Sequence, residues 1–186
     1  MTGRFIAVVG PSGVGKDSIM QGLAQMDKRF VLVRRVITRP SDAGGEDFEG
    51  VSQKEFTKRE KAGEFALHWP AHGLTYGIPT TVHDDLEKGR YMLANISRKK
   101  LHDARRAFPG ALTLSLVAPK DMLAERLAKR GRETQAEIQA RLDRQLEPVD
   151  GPNVVTINNN RSIDEAVKDA QSAVLSMIEE IGQGVE

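Results

Sequence analysis

Short apolar runs alternate with amphipathic stretches along the chain, the pattern of an α/β domain built on a mainly parallel sheet flanked by helices. The runs predict strands over Phe5–Val9, Phe30–Val36, Phe65–Trp69, Tyr91–Ile96, Leu112–Val117 and Val154–Ile157, with helices between them. Helix starts carry their own signals. Ser52 with Glu55, Thr134 with Glu137 and Ser162 with Glu165 match the capping box, in which a hydroxyl and a carboxylate satisfy two backbone donors reciprocally. Pro119 suits the first turn of another helix, where its missing N–H costs nothing. No repeat, low-complexity tract or Pro/Gly/Ser linker divides the chain. Ser41–Gly50, rich in Gly and Asp, reads as a long loop of the kind that often carries function, and Gly182–Glu186 as a fraying tail.

Composition narrows the classes. The 186 residues fit one domain with a filled core. Lys+Arg 27 against Asp+Glu 26 leaves a net charge of +1, so no global field recruits nucleic acid or an anionic membrane, and any cationic site is local. The 39% hydrophobic and 28% charged fractions are those of an ordinary globular protein. There is no cysteine, which excludes disulfides and thiolate chemistry. No run of ~18 apolar residues and no secretory pattern is present, so a cytoplasmic protein is expected. The pairs Lys99-Lys100 and Arg105-Arg106 flank a short amphipathic helix without interleaved aromatics, and with 5% aromatics overall the stacking platforms of a nucleic-acid binder are missing.

The strongest chemical signal is Gly10-Pro11-Ser12-Gly13-Val14-Gly15-Lys16-Asp17-Ser18, between the apolar strand Phe5–Val9 and the helical pattern Ile19–Met26. This is G-x-x-x-x-G-K in the context that a phosphate-binding loop requires. The glycines let backbone N–H groups converge on an anion, the helix N-terminus adds about half a positive charge, and Lys16 can reach the β- and γ-phosphates of a nucleotide. After the lysine this motif usually has Ser or Thr, whose hydroxyl holds Mg2+. Here it is Asp17, a hard oxygen ligand that could hold Mg2+ directly or through water, or else merely complement the helix dipole; the Ser18 hydroxyl is a further candidate. No strand ends in a second metal-binding Asp, since Tyr91–Ile96 carries Asn95 instead.

Beyond the loop the chain resembles the guanylate kinase family of P-loop kinases. The matching segments, in the family's order, are the loop itself, Ile37-Thr38-Arg39-Pro40, Val51 to Phe56, His72-Gly73-Leu74-Thr75-Tyr76-Gly77, and Arg126 to Glu133. The resemblance implies a P-loop NTPase fold with a small acceptor-binding insertion over 37–80 and a helical lid over 126–144. It puts Arg39 and Tyr76 on the acceptor's phosphate, the stretch to Arg141 over ATP, and Asn158 and Asn159 on adenine, although two asparagines after a strand also suit a turn. Two carboxylates that read guanine in that family fall here on Leu67 and Ser97, and a phosphate-binding tyrosine falls on Phe48. This variant pattern, with Asp17 after the lysine and Ser97-Arg98 after the strand, is similar to the ribose 1,5-bisphosphate phosphokinases of phosphonate catabolism. They use ATP and Mg2+ on a small phosphorylated sugar.

That reaction needs no general base, because a phosphate acceptor is already an anion at pH 7; positioning and charge neutralisation carry it. Lys16 and the loop amides go to the ATP phosphates. Arg126 and Arg130 share a helical face and, with Arg141, are arranged as arginine fingers supplied in cis, unless Glu125, Glu133 and Glu137 tie them into a solvated salt-bridged face. Arg39 offers a bidentate fork, Tyr76 a hydroxyl, and Arg98 after Ser97 a place for the sugar's second phosphate. His72 either donates to the substrate or stands exposed in a loop. A guanylate kinase, or a non-catalytic module of the same fold, are the competing readings.

Overall fold

The strand β1 (Arg4–Val9) sends Ile6 and Val8 to one face and Phe5, Ala7 and Val9 to the other, and all five are buried. A strand covered on both sides belongs inside a parallel sheet. In the computed structural model, which describes residues 3–40, 46–129, 142, 149 and 151–183, β1 is the middle strand of five. Its neighbours are β7 (Tyr91–Asn95) and β8 (Leu112–Val117), with β2 (Phe30–Leu32) and β9 (Val154–Asn158) at the edges. Every pairing in this sheet is parallel.

Ile6 and Val8 face a core closed by α1 (Lys16–Met26), α5 (Lys120–Lys129) and α6 (Ile163–Gln183). There α1 and α6 approach so closely at Gly22 that a Cβ would lie 2.5 Å from a Val167 methyl. Phe5, Ala7 and Val9 face a second core closed by α3 (Val82–Glu87), α4 (Leu101–Ala107) and residues of a second sheet. That sheet has the order β4-β3-β6-β5 and is formed by β3 (Arg35–Ile37), β4 (Phe48–Gly50), β5 (Phe65–Ala71) and β6 (Leu74–Pro79). The helix α2 (Gln53–Lys61) connects β4 to β5.

The second sheet departs from the sequence expectation in three places. The apolar run Phe30–Val36 is two strands in two sheets, β2 and β3, separated at Val33-Arg34. The expected loop Ser41–Gly50 ends in β4. The strand β6 was not foreseen, because Gly77 and Pro79 break its alternation; Gly77 is required where the Phe65 ring would lie 2.7 Å from a Cβ. β5 and β6 form a hairpin whose turn residues, His72 and Gly73, both have positive φ (52° and 74°), as a two-residue turn of the favoured hand demands.

Two capping signals operate as expected. Ser52 Oγ accepts from the Glu55 N–H at 3.1 Å, and Ser162 and Glu165 close a reciprocal box. The Ser162 hydroxyl, which donates to the Glu165 carboxylate at 2.6 Å, and the Ser162 N–H together hold that carboxyl below its usual value. Pro119 stands just before α5, and its carbonyl accepts from Leu123 at 3.0 Å. α6 continues through Gly182 to Gln183, beyond the expected start of the fraying tail. Thr134 and Glu137 lie outside the described residues. Among the described residues no helix is long and apolar enough to cross a membrane.

Candidate active site

The loop after β1 takes its shape from glycines and from one distant asparagine. Gly15, the residue before α1, sits at φ 92°, a left-handed conformation that disfavours a side chain. A Cβ there would also meet Asn159 Nδ2 at 2.7 Å. Asn159, 3% exposed at the end of β9, donates that Nδ2 to the carbonyl of Val14 at 2.7 Å and its backbone N–H to Val117. It therefore fixes the loop from behind. Lys16 folds back over the loop, and its Nζ donates to the carbonyls of Gly10 and Pro11 at 3.0 and 3.1 Å.

Two cavities flank this loop. One, of about 390 Å3, is lined by Gly13, Gly15, Ser18, Arg126, Lys129, Asn159, Arg161 and Ile163. From the sequence, the nucleotide is expected on this side of the loop and the acceptor on the other. Arg126 Nη2 reaches the Asn159 carbonyl at 3.3 Å, whereas Glu125, the acid next to it, pairs with Lys129 at 2.7 Å. Arg126 is thus not drawn into a salt bridge by Glu125. The other cavity, of about 520 Å3, opens between the two sheets and brings Ser12, Lys16, His72, Tyr76, Ser97 and Arg98 together. Lys16 lines this acceptor side, so the loop forms a wall common to both cavities.

Of the predicted acceptor residues, Tyr76, His72, Ser97 and Arg98 share this cleft. Arg39 does not line it: its guanidinium lies over the Phe48 ring at 5.0 Å, in a neighbouring cavity of about 590 Å3 with Thr38, Gly50 and Gln53. Asn158 is exposed at the end of β9, outside the lining of either cavity, while Asn159 supports the loop. Arg130 and Arg141 lie outside the described residues. Asp17 is exposed on the first turn of α1 and lines a small cavity with Arg35, Glu46 and Asn95, three residues that also line the acceptor cleft. Among the described residues no three acids or histidines cluster into a self-contained metal site. One carboxylate beside a phosphate site is nevertheless the donor set that suits Mg2+ carried in by a nucleotide, since that ion keeps most of its shell as water and phosphate oxygen.

Sequence reasoning missed Arg35 and Glu46. Arg35 is 6% exposed, its Nε donates to Glu46 at 3.0 Å and its Nη2 to the other carboxylate oxygen, and its Nη1 donates to the Asn95 carbonyl at 2.6 Å. The Tyr76 ring lies 5.1 Å from its guanidinium carbon, and Trp69 stacks on Tyr76 at 5.4 Å. The signal was an arginine interrupting an apolar run.

With this geometry in place, a family model described as guanylate kinase matches residues 2–177. The chain belongs to the guanylate kinase family. Within the family its curated relatives are more specific. A protein of Brucella melitensis named ribose 1,5-bisphosphate phosphokinase PhnN is 44% identical over 170 residues, covering 89% of this chain and 88% of that one. A protein of the same name from a Ruegeria species is 46% identical over 174 residues, covering 92% of each. A bifunctional ribose 1,5-bisphosphokinase-thymidine phosphorylase of Cupriavidus pinatubonensis is 43% identical over 169 residues, covering 89% of this chain and 28% of that protein. Among solved structures, a guanylate kinase from Anaplasma phagocytophilum superposes with a TM-score of 0.62 at 19% identity, covering 94% of this chain and 86% of that one. The fold is thus that of a guanylate kinase. Of the two positions that the resemblance sets against guanine-reading carboxylates, Leu67 is 6% exposed in the second core, and Ser97 lines the acceptor cleft.

Proposed function

We propose that this chain transfers the γ-phosphoryl group of ATP to the C1 phosphate of ribose 1,5-bisphosphate, giving 5-phospho-α-D-ribose 1-diphosphate and ADP. The observation that carries the reading is the 44–46% identity, over nearly full length, to proteins named for that activity. The absence of carboxylates at Leu67 and Ser97 supports it, because guanine donors left unpaired cost about 1–3 kcal/mol each.

In the transfer, an oxygen of the C1 phosphate attacks the γ-phosphorus in line, and the bond from that phosphorus to the bridging oxygen breaks, leaving ADP. The acceptor is already ionised, so no side chain has to remove a proton. Lys16, released from the loop carbonyls, neutralises the β- and γ-phosphates together with the loop N–H groups. Arg126 reaches the triphosphate from the nucleotide side, with Arg130 and Arg141 closing over it as a lid across 126–144. Tyr76, His72, Ser97 and Arg98 hold the sugar phosphate within the 37–80 insertion and at its border, and Arg39 reaches it from the adjoining cavity. Mg2+, when bound, spreads the charge of the transferring group. Asp17 would hold it. An ATP-dependent enzyme without cysteine fits the cytoplasm.

The test is to offer purified protein Mg-ATP with either ribose 1,5-bisphosphate or GMP and to follow ADP release. The expected result is turnover with the sugar and little with GMP. Faster turnover with GMP makes the chain a guanylate kinase, and none with either acceptor makes it a binding module.

A further inference from the structure

A guanidinium is charged at every accessible pH, so burying one is costly unless its donors are matched. Arg35 is matched, by the Glu46 carboxylate and the Asn95 carbonyl, yet it still lines the acceptor cleft with Lys16, Tyr76 and Arg98. Its partners fix its plane: Glu46 takes one edge, and the Tyr76 ring, backed by Trp69, covers a face. Three of five N–H donors are spent in this way, which leaves one on each terminal nitrogen for a ligand. Donors left on both terminal nitrogens can meet the oxygens of one phosphate. Lys16 belongs to the loop after β1, whereas Arg35 belongs to β3 in the second sheet, so the two cations enter the cleft from different sheets.

We propose that Arg35, aimed by Glu46, binds the acceptor's phosphate at the end remote from the transfer and so determines specificity for a doubly phosphorylated sugar. The inference rests on the sugar-phosphate reading above. A phosphate at each end of a small sugar requires two anion sites: Lys16 and the loop face one, and Arg35, entering the cleft from the second sheet and lining it with Arg98, supplies the other. Glu46 is a positioning residue, which keeps the fork in its plane and screens its charge when the cleft is empty.

Competitive inhibition against ribose 1,5-bisphosphate tests this without requiring the analogues to turn over. Ribose 5-phosphate carries only the remote phosphate, and ribose 1-phosphate only the near one. Arg35→Lys keeps the charge but loses the fork. It should weaken inhibition by ribose 5-phosphate by about tenfold, the loss of one hydrogen bond to a charged group, with ribose 1-phosphate and the KM for ATP unchanged. A purely structural arginine would weaken both inhibitors alike, or neither, and either result overturns the proposal. If thermal unfolding shows that Arg35→Lys does not fold, Glu46→Gln carries the same comparison, with the same shift of the two inhibition constants expected and the same parallel change refuting it. Wild-type turnover of ribose 1,5-bisphosphate decides the underlying reading separately. An enzyme that uses the sugar but shows no selective effect in the variants refutes the role of Arg35 alone.

Discussion

Gly15 and Asn159 are separated by most of the chain, yet the structure makes their substitutions interdependent. In Gly15→Ala the new methyl inherits a φ of 92°, at a cost of about 1–2 kcal/mol for a left-handed residue. It also lies 2.7 Å from Asn159 Nδ2, a contact no real Cβ tolerates, so Asn159 must leave the Val14 carbonyl. Stranding that buried acceptor costs about 1–3 kcal/mol, and the variant should lose about 2–5 kcal/mol in all. Asn159→Ala strands the same carbonyl and should lose about 1–3 kcal/mol by itself. The double variant suffers the hydrogen-bond loss only once. It should be no less stable than Gly15→Ala, giving a coupling energy of about 1–3 kcal/mol in a double-mutant cycle measured by urea unfolding. Additivity within about 0.5 kcal/mol would refute the idea that Asn159 holds the loop through Val14. The KM for ATP should rise in both single variants, because the same displacement turns the loop amides away from the phosphates.

Three further outcomes follow from the geometry. On the proposed mechanism Lys16→Ala removes a stabiliser of developing charge from a partly buried position, and should lower kcat by about 10²–10³-fold with little change in melting temperature. Leu67→Glu should not create GMP activity: the side chain enters the second core, and the variant should lose more than about 2 kcal/mol, seen as a fall in melting temperature of about 5 °C or more. The hydrogen bonds from Arg29 to Asp27, opposed by burial, hold the Asp27 carboxyl below its ordinary 3.8. That contribution is present above the unfolded value and disappears as pH falls through the folded one. The stability difference between wild type and Asp27→Asn should accordingly be full at pH 7 and vanish on acidification below that range, as followed by urea unfolding at each pH.

The nucleotide side was legible because its information is local. Nine consecutive residues from Gly10 to Ser18 specify strand end, turn, lysine and helix start, and the structure assembles them as read. The acceptor side was not, because its pieces meet only in three dimensions. Arg35 finds Glu46 eleven positions on and Asn95 sixty positions on, and in the run Phe30–Val36 the pair Arg34-Arg35 is all that interrupts the apolar residues where one sheet gives way to the other. Burial resumes on both sides of that break, at Val33 before the change of sheet and at Val36 after it. For Asn159 the resemblance implies an adenine contact and its place after a strand a turn; its burial and its bond to Val14 depend on a partner 145 positions away.

This division bears on how specificity can be changed. The loop after β1 hangs on that strand and on Asn159 at the sheet's far edge, and the Asn159 side chain bonds the loop, not the second sheet. The acceptor cleft is attached elsewhere, by the backbone bond from Val33 to Leu93 at 2.9 Å and by Arg35 to the Asn95 carbonyl at 2.6 Å, both on β7. An altered acceptor preference can therefore be built on β3, β5 and β6 while the loop keeps its shape. Arg35 is the exception, because it serves both as a wall of the cleft and as a tie between the sheets. Replacing it with a neutral residue of similar volume should thus affect acceptor binding and the docking of the second sheet together, whereas changes at His72 or Ser97 should affect acceptor binding alone. Hydrogen exchange at the Thr38 and Val51 amides, which bond Thr75 and Ile37 within the second sheet, would separate the two classes of variant. Faster exchange in the Arg35 variant and unchanged exchange in the others is the expected pattern. Equal exchange in all of them would mean that Arg35 does not hold the second sheet in place.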